Sequence, residues 1–220
     1  MIMKNIVILG AGGFGRELYH WIRQNQKVGI NLDWEVKGFL DPNKGSLKEF
    51  VGYPPILGDE KDYLIQEGDF FLSALGNVAL KKRVVDLILR KEGNFEKFIH
   101  HTAVVSSSSK VGKGVVICPH AIVSSEAVLG SFVMLNLYAS CGHDTEVGSY
   151  SILSPYATLN GFSKLGEEVF LGSRATVLAG KIVGEKSKIS AHAVLDRNAP
   201  NSSFTYTIKS NTKSIFFGGP

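Results

Sequence analysis

The sequence predicts two architectures in one chain: an α/β domain with a parallel sheet over residues 1–98, then a parallel β-helix over residues 99–220. Three observations carry this. Strand-like apolar runs alternate with helix-like segments as far as residue 98. A glycine-rich turn, GAGGFG (10–15), joins the first strand to the first helix. From Ile99 to Leu195 every sixth residue is a core-type side chain, without interruption.

In the first domain, NIVILG (5–10) is an apolar run ending in glycine, which reads as a buried first strand rather than a signal-peptide core. FGRELYHWIRQN (14–25) puts Leu18, Trp21 and Ile22 at helical spacing. WEVKGFLD (34–41) reads as the second strand, DEKDYLIQ (59–66) as a short helix and DFFLSALG (69–76) as the third strand. VALKKRVVDLILRKEG (78–93) is a helix with Val84, Leu87 and Ile88 on one face and Gly93 as its stop. Its basic run, Lys81, Lys82 and Arg83, reads as a solvated face. FEKFI (95–99) leads out. This alternation, with short loops, implies helices on both faces of a parallel sheet.

The repeat then takes over. Sampling every sixth residue from Ile99 gives seventeen positions, of which sixteen are Ile, Val or Leu and the other is Cys141. The residue two before each is usually Ala, Ser or Thr, and the one after is often glycine. Large and small residues are expected to point inward, with glycine relieving the turn. Three hexads per coil stack residues 18 apart, giving a prism about 25 Å tall at strand spacing. His143 then lies between Ser125 and Gly161, in a column of small residues that leaves room above the ring. Thr102, His120, Tyr138, Tyr156, Arg174 and His192 form another column, expected to be an outer ladder. Lys181 occupies an inward slot and is expected to bulge or snorkel, because an unpaired buried ammonium is costly.

Composition narrows the function. The formal charge of +4 is a mild bias towards anionic ligands and too scattered for nucleic acid. No apolar run is long enough to enter a membrane as a spanning helix. Two cysteines, Cys118 and Cys141, suit a reducing cytoplasm better than a disulfide scaffold. His100, His101, His120 and His192 sit at other repeat positions or on distant coils from His143, so no metal site is expected. His143 with Asp144 is the chemical pair. An imidazole can accept a proton at neutral pH, and an adjacent carboxylate favours its charged form. The GAGGFG turn matches G-x-G-x-x-G, whose backbone N–H groups can receive phosphate oxygens, and Asp41 ends the second strand where a nucleoside-binding acid would stand. A domain this short favours a mononucleotide over a dinucleotide.

Together, VILGAGGFGREL (7–18), FLD (39–41), SALGN (73–77), HDTEVG (143–148) and LSPYATLNG (153–161) resemble the bacterial nucleotide-sugar N-acetyltransferases and sialic acid O-acetyltransferases of the PglD/NeuD type. The resemblance covers nearly the whole chain and implies a left-handed β-helix. It implies a homotrimer with sites between adjacent β-helices, acetyl-CoA as cosubstrate, and an amino sugar linked to UDP, GDP or dTDP, in surface-glycan biosynthesis. Gly12, Gly13, Phe14, Asp41, Gly76, Asn77 and Lys81 match substrate-binding positions. His143 matches the general base, Asp144 its tuning acid, and Gly161 a backbone donor near the thioester carbonyl. Ser173 and Ala191 match coenzyme contacts, and Ile152 stands at a further coenzyme-side position where many relatives carry histidine. Phe14 also replaces a common histidine, and the ending TYTIKSNTKSIFFGGP departs from the family pattern. The alternatives are O-acetylation of a sialic acid or other sugar, and a nucleotide-sugar-binding protein without activity.

Overall fold

The structure, a computed structural model, describes residues 3–206. The described residues therefore exclude most of the atypical C-terminal ending. The first domain is a five-stranded parallel sheet of order β3-β2-β1-β4-β5, with β1 Lys4–Leu9, β2 Trp34–Leu40, β3 Ile56–Gly58, β4 Asp69–Ser73 and β5 Asn94–Phe95. Helix α1 (Gly13–Lys27) buries Leu18, Trp21 and Ile22 against Ile6, Ile8 and Phe39 on one face. Helix α2 (Val78–Arg90) buries Val84, Val85 and Ile88 against Val7, Leu9 and Phe71 on the other. Alternate residues of β1 thus serve opposite faces, as a doubly covered strand requires.

Residues 59–66, expected to be helical, form a turn instead. Asp59 accepts the Lys61 N–H at 2.8 Å through its side chain, and Tyr63 donates its hydroxyl to Asp69 at 2.7 Å. These local bonds replace the helical ladder after one turn. Strand β3, just before this turn, had no sequence counterpart.

From Phe98–Ile99 onward the chain winds through two-residue strands, and each of the seventeen sixfold positions is the second residue of one. Strands 18 residues apart pair in parallel, as in Ile122↔Ser140 and Cys141↔Leu159. Three parallel sheets of seven, six and five strands make the faces of a prism. Its core is a single cluster in which Val123, Leu135, Cys141, Leu159 and Val177 alternate with Ala121, Ala139, Ala157 and Ala175. Inward hydroxyls are satisfied locally, as where Ser163 donates to the Asn160 carbonyl at 2.6 Å. The coil after Leu195 is two residues shorter, since Lys188 pairs with Phe204 rather than at the 18-residue interval.

Two expectations about the repeat change. The glycines after the aliphatic positions are not the turn residues. They permit close stacking: a Cβ on Gly142 would lie 2.9 Å from the Gly161 nitrogen in the coil above. The left-handed conformation falls two residues later, on Tyr138, Asp144, Tyr150, Tyr156, Phe162 and their equivalents, with φ near +60°. Lys181 keeps its ladder bond, its carbonyl accepting the Lys164 N–H at 2.9 Å, and its side chain is half-buried. It snorkels without a bulge.

The N-terminal domain docks on the seven-stranded face. Outward residues of that face, Val116, Met134 and Ile152, join the apolar layer of Ile6, Trp21 and Phe39. Polar ties flank this layer. Asn25, fully buried, donates to the Ile99 carbonyl at 2.8 Å and accepts the His101 N–H at 2.8 Å. Burial pushes the His100 imidazole down to about 4 where it meets Gln24.

Candidate active site

His143 and Asp144 occupy the prism edge between strands Ser140–Cys141 and Glu146–Val147. This is the edge between the six- and five-stranded faces, opposite the face that carries the N-terminal domain. Asp144 takes the left-handed turn position, φ +58°, a conformation that aspartate tolerates better than most residues. Its amide is pinned by the Ser125 carbonyl in the coil below at 3.0 Å. The turn therefore fixes the carboxylate beside the preceding imidazole: His143 Nδ1 lies 2.9 Å from Asp144 Oδ2.

A carboxylate can only accept, so Nδ1 carries the proton and Nε2 presents its lone pair. The imidazole is 60% exposed and the carboxylate 42%. The ring lies over Gly161, where a Cβ would stand 2.5 Å from Cε1 and 2.6 Å from Nε2. Phe162 meets the ring edge-on at 5.0 Å. Above Gly161 the column continues through Ala179, and the Gly180 N–H donates to the Gly161 carbonyl. Among the described residues nothing accepts the Gly161 N–H. The pair thus has an oriented base, an adjacent free backbone donor, and open space above both.

The other matched residues separate into groups. Ser173 and Ala191 stack on a different edge, between the seven- and six-stranded faces, where His192 N–H donates to the Ser173 carbonyl at 2.9 Å. That edge carries the expected outer ladder. His120 stacks on Tyr138 at 4.9 Å, Tyr138 on Tyr156 at 4.8 Å, and the Arg174 guanidinium covers Tyr156 at 5.0 Å.

Gly12, Gly13 and Phe14 open α1 at the C-terminal end of β1. No side chain caps that helix and no acid lies in its first turn, so its N–H groups face outward unopposed. Gly15 must be glycine, because a Cβ would collide with the Gly10 carbonyl. Phe14 packs edge-on against Trp21 at 5.6 Å. Asp41 holds the loop: Oδ2 accepts the Ala11 N–H and Oδ1 the Asn43 N–H, each at 2.9 Å. Its first task is therefore to shape the glycine turn. Gly76 and Asn77 end the neighbouring loop, after β4, with Asn77 capping α2 through the Leu80 N–H at 2.9 Å. Among the described residues, no cluster of three or more His, Cys, Asp or Glu side chains could hold a metal, and no helix is long and apolar enough to cross a membrane.

Two matched residues do not belong with these. Lys81 is 1% exposed and lies neither on a solvated face nor at a ligand surface. Its ammonium donates to the Phe132 carbonyl at 2.8 Å and the Ser151 carbonyl at 3.3 Å, and burial pushes its pKa down to about 7. It is a pin between α2 and the prism. Ile152 is 2% exposed in the interdomain apolar layer, which leaves no surface for a coenzyme.

Residues the motif reading missed line a cleft of about 430 Å³ between the start of α2 and the prism: Glu168, Phe170, Lys186 and Lys188 face Asn77 and Ala79. A signal existed. The outward column of the docking face reads Val116, Met134, Ile152, Phe170, Lys188, so it turns from apolar to cationic where the domain stops covering it.

Residues 5–88 match the PglD N-terminal domain family. The acetyltransferase domain of PglB from Neisseria gonorrhoeae FA1090, solved in complex with acetyl coenzyme A, superposes with a TM-score of 0.82 at 25% identity, covering 93% of this chain and 97% of that one. Residues 5–88 thus carry a domain of the PglD N-terminal type. PerB from Caulobacter crescentus, solved with CoA and GDP-perosamine, is similar at a TM-score of 0.80 and 25% identity, over 96% of this chain and 97% of that one. A UDP-N-acetylbacillosamine N-acetyltransferase of Bacillus subtilis (strain 168) is 32% identical over 117 residues, 52% of this chain and 51% of that protein. The match thus spans about half the length of that curated relative.

Proposed function

We propose that this protein transfers an acetyl group from acetyl-CoA to the amino group of a sugar linked to a nucleoside diphosphate. The observation that carries the reading is the His143–Asp144 pair at 2.9 Å, with Nε2 free at an exposed edge and small residues stacked around it. The similarity to PglB bound to acetyl coenzyme A and to PerB bound to CoA and GDP-perosamine supports the donor and the acceptor class.

The sugar nitrogen attacks the thioester carbonyl carbon. As the C–N bond forms, His143 Nε2 accepts a proton from nitrogen, and Asp144 balances the imidazolium. The Gly161 N–H donates to the developing oxyanion. Collapse breaks the C–S bond, and the CoA thiolate leaves and takes up the proton. Cys141 has no part in this, since burial pushes its thiol up to about 12.

The base and the nucleotide-binding domain sit on opposite sides of one prism, so a site using both is built from two chains. A homotrimer satisfies this: the Ser173–Ala191 edge and N-terminal domain of one chain meet the His143 edge of the next, with acetyl-CoA between them. The cytoplasm, which supplies acetyl-CoA and keeps the two free, buried cysteines reduced, is the fitting compartment.

The test is acetyl transfer to UDP-, GDP- and dTDP-linked amino and hydroxy sugars. An amino sugar is acetylated, and His143→Ala lowers its turnover about 10²–10⁴-fold. Near-normal turnover by that variant, or acetylation of hydroxyls alone, would refute the reading.

A further inference from the structure

The sheet order β3-β2-β1-β4-β5 reverses direction between β1 and β4. Ligands of open parallel sheets bind outside the carboxyl ends of the strands at such a reversal. The two loops there are Gly10–Phe14 and Gly76–Asn77. The second loop opens directly onto the prism across the cleft of about 430 Å³. A Cβ on Gly76 would meet nothing within 4 Å, so a ligand can approach that backbone closely. Val78 and Ala79 begin α2 with no acidic residue in its first turn.

The opposite wall is the prism, and its chemistry is specific to this level. Two and three coils below Lys188, the outward residues of the docking face are the covered Ile152 and Met134. At the cleft the same column presents Lys188, and the adjoining edge presents Lys186. Both are exposed, and neither forms an ion pair among the described residues. Glu168, also lining the cleft, leaves one carboxylate against two ammonium groups. Phe170, Val78 and Ala79 add apolar surface to the lining.

We propose that Lys186 and Lys188 are specificity-determining residues that clamp the diphosphate of the nucleotide-linked sugar against Gly76 and Asn77 of the same chain. This rests on the nucleotide-sugar reading above and adds the prism as a second half of the nucleotide site. Two flexible point charges suit a diphosphate whose sugar end must swing towards a neighbouring chain's base. Acetyl-CoA carries a diphosphate too, but Lys186 stands on the edge between the five- and seven-stranded faces, whereas the proposed coenzyme residues Ser173 and Ala191 stand on the edge between the seven- and six-stranded faces.

Calorimetric titration of the full chain with UDP, GDP, dTDP and CoA tests this without requiring turnover. The wild-type chain binds at least one of the three nucleoside diphosphates. Lys186→Ala and Lys188→Ala each weaken that binding about 10-fold or more, while Lys188→Arg stays close to wild type and CoA binding is unchanged. If acetyl transfer fails but this pattern appears, the transferase reading falls and the clamp stands. Absence of nucleoside diphosphate binding by the wild type, unchanged binding in both alanine variants, or a loss confined to CoA would overturn the clamp. Both lysines are exposed, so the variants keep the wild-type melting temperature.

Discussion

At the scale of single residues, two side chains separate chemistry from architecture. His143 depends on the absence of an atom: Gly161 has no Cβ, and one placed there would stand 2.5 Å from the imidazole. The backbone of Gly161 is not left-handed, so alanine fits the fold, and the exposed ring yields by swinging away. Gly161→Ala should therefore keep its melting temperature yet lose about 10–100-fold in kcat, since small misplacements of a catalytic group carry such penalties. Unchanged kcat would show that the ring's seat over Gly161 does not matter. Lys81 is the reverse case, a titratable group that serves the fold. Burial lowers its pKa to about 7 from 10.5, so between those values the unfolded chain holds a proton that the folded chain does not. Unfolding takes up protons there, and the stability contributed by this group rises with pH across that window. The His100 window, from about 4 to 6.5, lies below it. Urea unfolding above pH 7 checks the sign: the stability of the wild type relative to Lys81→Met should grow with pH, by at most about 1.4 kcal/mol per unit. A flat difference would mean the ammonium is solvated.

At the scale of elements, the glycine turn shows how a loop is held in one shape. Gly15 sits against the Gly10 carbonyl and Asp41 clamps the Ala11 amide. Gly15→Ala should force the turn open and weaken nucleoside diphosphate binding at least about 10-fold, by calorimetry, with the prism intact. Elements were legible in the sequence where one physical demand repeats. The inward slot of the prism accepts one large aliphatic per hexad, so its register could be read from Ile99 to Leu195. The long strands and both helices declared themselves by continuous or 3.6-periodic apolar patterns. What stayed hidden depends on geometry that composition does not encode. The left-handed turn position takes Glu, Phe, Tyr, Arg, Lys or His alike, so composition points instead to the neighbouring glycines, which serve close stacking. Lys81 reads as part of a basic helix face because its acceptors lie 51 and 70 residues away in the chain. Ile152 reads as a lost coenzyme contact until the N-terminal domain is seen to cover it. His143 and Asp144 stood out because a repeat that needs neither carries both.

At the scale of the whole molecule, the decisive feature is that the prism separates the two halves of the proposed site. The N-terminal domain occupies the seven-stranded face, and His143 stands on the edge opposite that face. The apolar layer, with Lys81 and Asn25 as flanking ties, fixes the domain on that face: to reach its own chain's His143 it would have to abandon Met134, Ile152 and both ties at once. The proposed sharing of sites between chains has a measurable consequence. His143→Ala disables the base edge of a chain, and Gly15→Ala disables its nucleotide loop. Assayed with the nucleotide-linked sugar well below the dissociation constant of the Gly15→Ala variant, each variant alone turns over only a small fraction of the wild-type rate. Co-refolded in equal amounts, they form mixed assemblies in which a site draws its base edge and its nucleotide loop from different chains. Random mixing leaves both intact in about a quarter of sites, so about a quarter of wild-type activity should return. Sites confined to one chain would return none, because every chain in the mixture carries one of the two lesions.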